Sequence, residues 1–258
     1  PGSSPELRSY ADAYLANRPN KKPGVAARLM QKPLFFGAAM VRAGHADAMV
    51  AGASSPTARV IEAGKMALGL QPGVETPSSF FLITVPGGDG APERNLIFAD
   101  CALTIDPTAE ELAGIAQASA ISAARLLPEV PRVALLSFST HGSARHSAAK
   151  KVAKATAIVR ERVPDVAFDG ELQADAALVG RIAATKCREP GAVAGRANVL
   201  IFPDLSSGNI AYKLVQHLAG ARATGPFCQG FAGSLCDLSR GATADDIVTA
   251  TAVTLVLG

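Results

Sequence analysis

The segment Cys236–Gly241 combines a hydroxyl with a guanidinium and is followed closely by two carboxylates. Ser239 and Arg240 stand next to each other in a predicted loop. An arginine can hold a phosphate group through two parallel hydrogen bonds. Asp245 and Asp246 fall in the first turn of the next predicted helix, where the helix dipole stabilises a carboxylate. The spacing therefore indicates an anion-binding loop with an acidic group beside it.

Asp246 also has a structural interpretation, which conflicts with a chemical one. Thr243 precedes it by three residues, and this is the spacing of a capping box. A second box is predicted at Thr108 and Glu111, at the start of another helix. A carboxylate that accepts a hydrogen bond from a helix start is less available to take a proton. The spacing alone leaves both roles of Asp246 open.

A second polar segment lies between the predicted strand Arg132–Phe138 and the predicted helix Ser143–Arg162. Its candidate substrate-binding residues are Ser139, Thr140, Gly142 and Ser143. Hydroxyls and free backbone N–H groups at a helix start form a phosphate cradle, which the helix dipole strengthens. The same residue types suit a plain helix N-cap. Cradle and cap both remain open at this point.

Other polar and nucleophilic residues are better explained by structure than by catalysis. Asp169, Glu171 and Asp175 would suit acid–base work or metal binding, but a capping array near a helix start explains them more simply. Asp204 lies in a turn that either contacts a ligand or caps the next helix. Cys101 has no cationic neighbours in the sequence, so we expect a buried small side chain rather than a nucleophile.

Helical patterns alternate with short apolar runs along the chain. The runs Arg132–Phe138, Val166–Asp169 and Asn198–Phe202 are rich in apolar residues and are separated by helices. Such strands are typical of a parallel sheet with helices on both faces, which places the chain in the α/β class. Ligands bind at the carboxyl ends of the strands in these sheets. The loops that follow the three runs are therefore candidates for the site.

The composition excludes several classes of protein. The chain has 258 residues and a formal net charge of +3, without the basic stripe of a nucleic-acid-binding protein. Apolar residues make up 48%, which excludes disorder. The longest apolar stretches, such as Leu34–Val41, fall short of the roughly 18 residues that a membrane span needs. The four cysteines and four histidines show no metal-ligand spacing, so we expect no metal, reduced thiols and a cytoplasmic location.

A set of motifs occurs in an order and spacing that resemble one enzyme family. The motifs are Ser139–Ala144, Asp169–Ala177, Ile201–Lys213, Gly225–Gly230 and Asp237–Gly241. Together they resemble the motifs of phosphate acetyltransferases (phosphotransacetylases), and the resemblance runs from about residue 6 to the end of the chain. It implies acyl transfer between an acyl phosphate and coenzyme A. Coenzyme A would be a substrate, and no cofactor is implied.

The resemblance also implies an architecture. The chain would form two α/β domains with parallel-rich sheets flanked by helices, and the active site would lie in the cleft between them. The outer domain would comprise residues 5–72 and 234–258, and the middle domain residues 73–233. Family members are usually homodimers, and no nucleic-acid, membrane or metal partner is implied. They usually carry several dozen more N-terminal residues than this sequence.

Residue roles follow from the same resemblance. The family site uses the Ser and Arg of the Asp-Leu-Ser-Arg-Gly motif and an Asp shortly after it, which are Ser239, Arg240 and Asp246 here. Arg18 resembles a family arginine in an N-terminal loop. A thiol with a pKa of about 8.5 is mainly protonated at neutral pH, so Asp246 would take its proton. The arginines would neutralise the departing phosphate, and Ser239 would add a hydrogen bond.

Departures from the family pattern leave alternatives. A second family arginine aligns with Glu62, and Arg59, one helical turn earlier, would replace it. The first hypothesis is an active phosphate acyltransferase. The second is a non-catalytic acyl-CoA-sensing or oligomerisation domain of a larger enzyme, which the shortened N-terminus and Glu62 motivate. A dehydrogenase of similar architecture ranks below both, because no Gly-x-Gly-x-x-Gly follows a strand.

Overall fold

The computed structural model describes residues 1–16, 18, 20–88 and 92–258. The chain divides into two compact units, one formed by residues 1–75 and 230–258 and the other by residues 76–229. A turn predicted from the sequence at Pro86–Gly90 lies partly outside the described residues.

Helices and strands alternate through much of the chain. The helices are α1 (Leu7–Ala16), α2 (Pro23–Met30), α3 (Pro33–Arg42), α4 (Thr57–Ala63, continued by a π-helical turn at Gly64–Leu68), α5 (Ala109–Leu126), α6 (Ser147–Arg162), α7 (Ala174–Leu178), α8 (Gly180–Lys186), α9 (Leu205–Leu218) and α10 (Ala244–Leu257). The strands are β1 (Ala48–Ala51), β2 (Ser78–Val85), β3 (Arg94–Ala99), β4 (Arg132–Leu136), β5 (Ala167–Leu172), β6 (Val199–Ile201), β7 (Arg222–Gln229) and β8 (Ser234–Asp237).

The unit 76–229 is built on strands in the order β7-β2-β3-β6-β4-β5. The strands β3, β6, β4 and β5 are parallel to one another. Strand β2 is antiparallel to both of its neighbours, β3 and β7. The prediction of a parallel sheet is therefore correct for the strands that precede the polar loops. Strand β2 lies outside that prediction, because a short connection joins it to β3 where a parallel pair would need a crossover helix.

Small and branched apolar side chains form the core of this unit. Helix α5 packs on β3, β4 and β6, and α9 packs on β3 and β7. Leu112 and Ile115 of α5 and Leu200 of β6 are buried. The capping box predicted at the start of α5 is present, because Thr108 and Glu111 each bond the backbone N–H of the other. This local signal fixes where the helix begins.

In the unit formed by 1–75 and 230–258, β1 and β8 are a parallel pair in which Ala51 lies opposite Asp237. Helix α10 packs on both strands. The helices α1, α2 and α3 share a separate apolar cluster that includes Tyr10, Tyr14 and Met30. Because parallel strands end at the same edge, the loops 52–56 and 238–243 leave the pair side by side. The sequence did not predict a strand at β8.

Several predicted element boundaries differ from the structure. Helix α6 begins at Ser147 rather than Ser143, with His146 as its N-cap. The single helix predicted from Leu172 is two short helices, because β5 extends through Leu172. Helix α9 begins at Leu205, one residue after the cap Asp204. The shift at α6 changes the interpretation of the loop that precedes it.

Candidate functional site

The loop that follows β8 is held in a tight turn. Ser239 Oγ accepts a hydrogen bond from the Gly241 N–H at 3.2 Å, and the Ser239 carbonyl accepts one from the Ala242 N–H at 3.0 Å. Ser239 and Arg240 are both exposed. Ser239 Oγ acts only as acceptor in the first bond, so its own proton can be donated to a ligand. The turn therefore presents a hydroxyl and a guanidinium to solvent.

Asp246 forms the capping box that its spacing predicts. Its Oδ2 accepts hydrogen bonds from the N–H of Thr243 at 2.9 Å and from the Thr243 hydroxyl at 2.8 Å. The N–H of Asp246 donates to Thr243 Oγ1 at 3.2 Å. Both bonds to the carboxylate go to one oxygen, and a carboxylate accepts at two. The cap orients this half-buried side chain and, by itself, accounts for one of its oxygens.

Asp237, the last residue of β8, is a feature that the sequence did not single out. The residue is 1% exposed, and its Oδ2 accepts a hydrogen bond from the hydroxyl of Thr57, the first residue of α4. Within the described part of the chain, its Oδ1 has no hydrogen-bond partner. Burial raises the pKa of this carboxyl above its ordinary value, and the Thr57 bond opposes that rise.

The backbone of Gly52 lies against the Oδ1 side of the Asp237 carboxylate. Its φ of +116° belongs to a backbone region that favours glycine. A Cβ on Gly52 would lie 2.4 Å from Asp237 Oδ1 and 2.4 Å from the carbonyl oxygen of Leu238. The loop after β1 therefore approaches the loop after β8 more closely than any other residue type would allow.

The two remaining candidate arginines lie in the same unit and have partners there. The Arg18 guanidinium lies 4.5 Å from the centroid of the Tyr14 ring, and its Nη2 points to the Lys65 carbonyl at 3.5 Å. Arg59 Nη1 pairs with Glu62 Oε2 at 2.9 Å. The Arg59 and Glu62 side chains are both exposed, so water screens this ion pair and weakens it. Arg59 nevertheless has a negative charge beside it.

The helix start predicted at Ser143, beside the candidate phosphate cradle, is wrong. Because α6 begins at Ser147, the candidate residues lie in a loop before the helix and not on its first turn. Ser139 Oγ and the Gly142 N–H both donate to Glu171 Oε1, at 2.8 and 2.7 Å. The carboxylate of Glu171 thus occupies the position that an anion would take in the predicted cradle.

The other two candidates in this loop also bond within the chain. The N–H of Thr140 donates to Ser143 Oγ at 3.0 Å, and Thr140 Oγ1 donates to Gln173 Oε1 at 3.3 Å. Ser139 and Thr140 are buried, whereas Gly142 and Ser143 are exposed. The polar groups of the loop are therefore turned toward β5 and the residues after it.

The acidic residues around β5 bond within the protein, and among Asp169, Glu171 and Asp175 it is Asp175 that lies in the first turn of a helix, as the capping interpretation predicts. Asp169 lies within β5, where its Oδ1 accepts a hydrogen bond from Arg160 Nη2 at 2.8 Å and contacts His141 Nε2 at 3.1 Å. Asp175 pairs with Lys186 Nζ at 2.7 Å, which lowers the pKa of this carboxyl. The capping-array interpretation is wrong for Asp169, because this residue lies within a strand and the Arg160 guanidinium donates to its carboxylate.

The remaining candidates have structural roles. Asp204 Oδ1 accepts a hydrogen bond from the Ser207 N–H at 2.8 Å, so the turn before α9 is a cap. Cys101 is fully buried, and burial raises the pKa of its thiol well above the ordinary value. No group of three His, Cys, Asp or Glu residues could hold a metal ion in the described ranges. Of the helices described, none is both long and apolar enough to cross a membrane.

The α/β fold and the exposed Ser239–Arg240 turn that follows β8 are typical of α/β enzymes that bind anionic substrates. A family model described as Phosphate acetyl/butaryl transferase matches residues 1–255. The chain belongs to this family, as its motifs predict.

Curated relatives and solved structures agree with this assignment. A phosphate acetyltransferase of Treponema pallidum is 49% identical over 99% of this chain and 77% of its own length. A phosphate acetyltransferase of Thermoanaerobacterium thermosaccharolyticum is 47% identical over 99% of this chain and 78% of its own length. The crystal structure of a phosphotransacetylase from Streptococcus pyogenes superposes with a TM-score of 0.92 at 39% identity, covering 99% of this chain and 76% of that one.

These similarities confirm the α/β fold and the enzyme class predicted from the sequence. The chain is a transferase, and its activity is acyl transfer between phosphate and coenzyme A. The non-catalytic acyl-CoA-sensing alternative is not favoured, because the relatives at high coverage are named as enzymes. The chain spans about three quarters of the length of these relatives.

Proposed function

We propose that this chain moves an acetyl or other short acyl group between acyl phosphate and coenzyme A by direct thiolate attack in a ternary complex. The sulfur of coenzyme A forms a bond to the acyl carbon, the bond from that carbon to the phosphate oxygen breaks, and phosphate leaves. The proposal is supported above all by the exposed Ser239–Arg240 turn at the end of β8, in a chain that belongs to this family.

We assign the chemistry to four residues of one unit. Asp246 takes the proton of the coenzyme A thiol, because an unperturbed thiol is mainly protonated at neutral pH. Arg240 and Arg18 neutralise the phosphate as it departs, and Ser239 donates a hydrogen bond to the developing negative charge. Holding both substrates in line supplies further acceleration. No step in this sequence needs a metal or a bound cofactor, because coenzyme A is itself a substrate.

We assign substrate binding to Arg59 and to the loop 139–143. Arg59 is exposed and carries a charge suited to a phosphate, despite its partner Glu62. Gly142 and Ser143 are exposed and are proposed to contact substrate directly. Ser139 and Thr140 are buried and are proposed to support the loop through their bonds to the chain.

The assay that tests the proposed function measures phosphate released from acetyl, propionyl and butyryl phosphate with and without coenzyme A. We expect coenzyme A-dependent release, and we expect Arg240→Ala to lower turnover about 100- to 1,000-fold, the scale of losing one charge-stabilising group. Arg8→Ala, an exposed arginine of α1, is the matched control and should stay within two-fold of the parent. Saturable binding of acetyl-CoA by a folded protein that releases no phosphate would refute the proposal and support the non-catalytic alternative.

Two finer features of the resemblance remain proposals. The domain boundaries 5–72 with 234–258 and 73–233 are supported by the similar division of the chain at residues 75 and 230. Limited proteolysis should then cut first near these boundaries. The cleft between the domains, which the resemblance implies, stays a prediction.

The assembly and the location are also proposals. A homodimer is supported by the exposed apolar side chains Ile210, Leu214 and Leu218 on one helix, a surface of the kind that an interface covers. Sedimentation equilibrium would test it, and a monomer at micromolar concentration would contradict it. A cytoplasmic location is supported by four cysteines that are thiols rather than disulfides in the structure, and fractionation of cells would test it.

A further inference from the structure

Burying the carboxylate of Asp237 costs free energy of folding, so packing alone does not explain why this residue is there. It is 1% exposed at the end of β8, and Oδ1 has no hydrogen-bond partner in the described ranges. A buried carboxylate without full hydrogen bonding destabilises a fold compared with an apolar residue of similar size. The pKa of its carboxyl is raised because burial disfavours the charged form, which is the same energetic cost. Residues with such a cost are commonly retained where a site must be held in one geometry.

The contacts of Asp237 show what it could hold. Its Oδ2 accepts the hydroxyl of Thr57, a residue 180 positions earlier in the chain that begins α4. The next residue, Leu238, donates its N–H to the carbonyl of Ala51 at the end of β1. Gly52, which follows Ala51, leaves no space for a Cβ beside Oδ1. The side chain and its neighbours thus fasten the two loops to each other.

The two fastened segments carry candidate phosphate-binding groups. Ser239 and Arg240 come directly after Leu238, and Arg59 lies on α4, two residues after Thr57. An error of about 1 Å in the position of a catalytic group can cost about 100-fold in rate. The side chains of Ser239 and Arg240 are exposed, so their position depends on the backbone that carries them.

We infer that Asp237 is a positioning residue for the acyl transfer proposed above: by accepting the Thr57 hydroxyl, it fixes the turn bearing Ser239 and Arg240 relative to α4. Asp237 does not touch substrate in this account. It acts through Arg240 and Ser239, and the inference rests on the proposed function. The Thr57 hydroxyl is the part of this arrangement that can be removed with the least disturbance.

The test compares Thr57→Val, which keeps the shape of the side chain but removes the donor, with Thr57→Ser, which keeps the donor. We expect Thr57→Val to lower kcat about 10- to 100-fold, as loss of alignment does, with less than a three-fold change in the KM for coenzyme A. Thr57→Ser should stay within three-fold of the parent. Thr251→Val is the matched control, because the Thr251 hydroxyl donates to the Ile247 carbonyl of its own helix at 2.7 Å.

A double-mutant cycle separates positioning from a general loss of structure. Because Asp237 acts through Arg240 as well as Ser239, Thr57→Val should lower kcat by a smaller factor in an Arg240→Ala background than in the parent. Equal losses in both backgrounds, or a loss with Thr57→Ser as large as with Thr57→Val, would overturn the inference while leaving the proposed function intact. A parent protein that folds but releases no phosphate would overturn both. Asp237→Leu, which removes the acceptor and keeps a side chain of similar size, serves as a second variant, and parent-like kcat for it would also contradict the inference.

Discussion

The hydroxyl and the N–H of Thr243 both donate to one carboxylate oxygen of Asp246, at 2.8 and 2.9 Å. The residue proposed as the proton acceptor is therefore also part of the capping box at the start of α10. A cap stabilises a helix in the folded protein whether or not substrate is present. The two roles can be separated by experiment, because one substitution removes the Thr243 hydroxyl and another removes the charge of Asp246.

The first prediction separates the cap from the proton transfer. Asp246→Asn retains an oxygen that can cap the helix but removes the base, so kcat should fall about 100- to 10,000-fold, the usual range for a general base. Thr243→Ala removes the cap and should lower the free energy of unfolding by about 1 kcal/mol. Urea unfolding and steady-state kinetics measure the two effects. If Thr243→Ala reduced kcat as much as Asp246→Asn, helix capping rather than proton transfer would explain the role of Asp246.

The second prediction concerns the exposed pair of Arg59 and Glu62. Glu62→Gln removes the charge beside Arg59 and should lower the KM for acetyl phosphate about two- to five-fold, since exposed pairs of this kind contribute less than about 1 kcal/mol. Arg59→Ala should raise the same KM. Both effects should shrink as salt is added, because exposed charges are screened. An unchanged KM in both variants would remove Arg59 from the substrate-binding set.

The third prediction is a dependence of stability on pH that comes from Glu111. Hydrogen bonds from the Thr108 backbone, and from the hydroxyls of Thr76 and Thr108, lower the pKa of this carboxyl from its ordinary 4.5. A carboxyl whose pKa is lowered by folding stabilises the folded protein at pH values above its ordinary pKa. That stabilisation is lost as the pH falls through the lowered pKa. Glu111→Gln should therefore destabilise the protein most at neutral pH and progressively less below pH 4.5.

Urea midpoints of the parent and of Glu111→Gln, taken between pH 3 and pH 7 in steps of about half a unit, measure that difference. Thr76→Val is the matched comparison, because it removes one of the bonds and should reduce the pH dependence without abolishing it. A difference between parent and variant that grows as the pH falls would contradict the assignment.

The fourth prediction concerns thiol reactivity. Burial raises the pKa of Cys236 to about 12 and raises those of Cys101 and Cys187 as well. Because the thiolate is the reactive form, iodoacetamide at pH 8 should label these three slowly in the native protein. Half-buried Cys228 should be labelled first. Mass spectrometry with a urea-denatured control measures the order, and rapid native labelling of Cys236 would show that β8 opens readily.

Signals that act within one turn of helix were visible in the sequence. The capping boxes at Thr108 and Thr243 were predicted from a spacing of three residues, and both are present. The cap at Asp204 and the burial of Cys101 follow from equally local chemistry. The apolar strands predicted the α/β class, because continuous burial leaves a signature in composition.

Features set by distant contacts were not visible. The loop 139–143 was expected to begin a helix, and it does not, because Glu171, about 30 residues later, bonds Ser139 and Gly142. The partners Thr57 and Asp237 are 180 positions apart, so no local pattern pairs them. The burial of a single Asp at the end of a strand cannot be predicted from the spacing of neighbouring residues. The candidate residues could thus be identified from the sequence motif. The long-range hydrogen bonds that hold them in place could be identified only from the structure.

The bond between Thr57 and Asp237 also constrains how the polypeptide matures on the ribosome. Residues 76–229 form a continuous unit, whereas the unit that holds this bond joins segments that lie on both sides of it in the sequence. Translation delivers β8 and α10 only after residues 76–229, so the segment 1–75 must wait for them while the unit between can already fold. The acceptor for Thr57 therefore leaves the ribosome only after the whole of the unit 76–229 has been made.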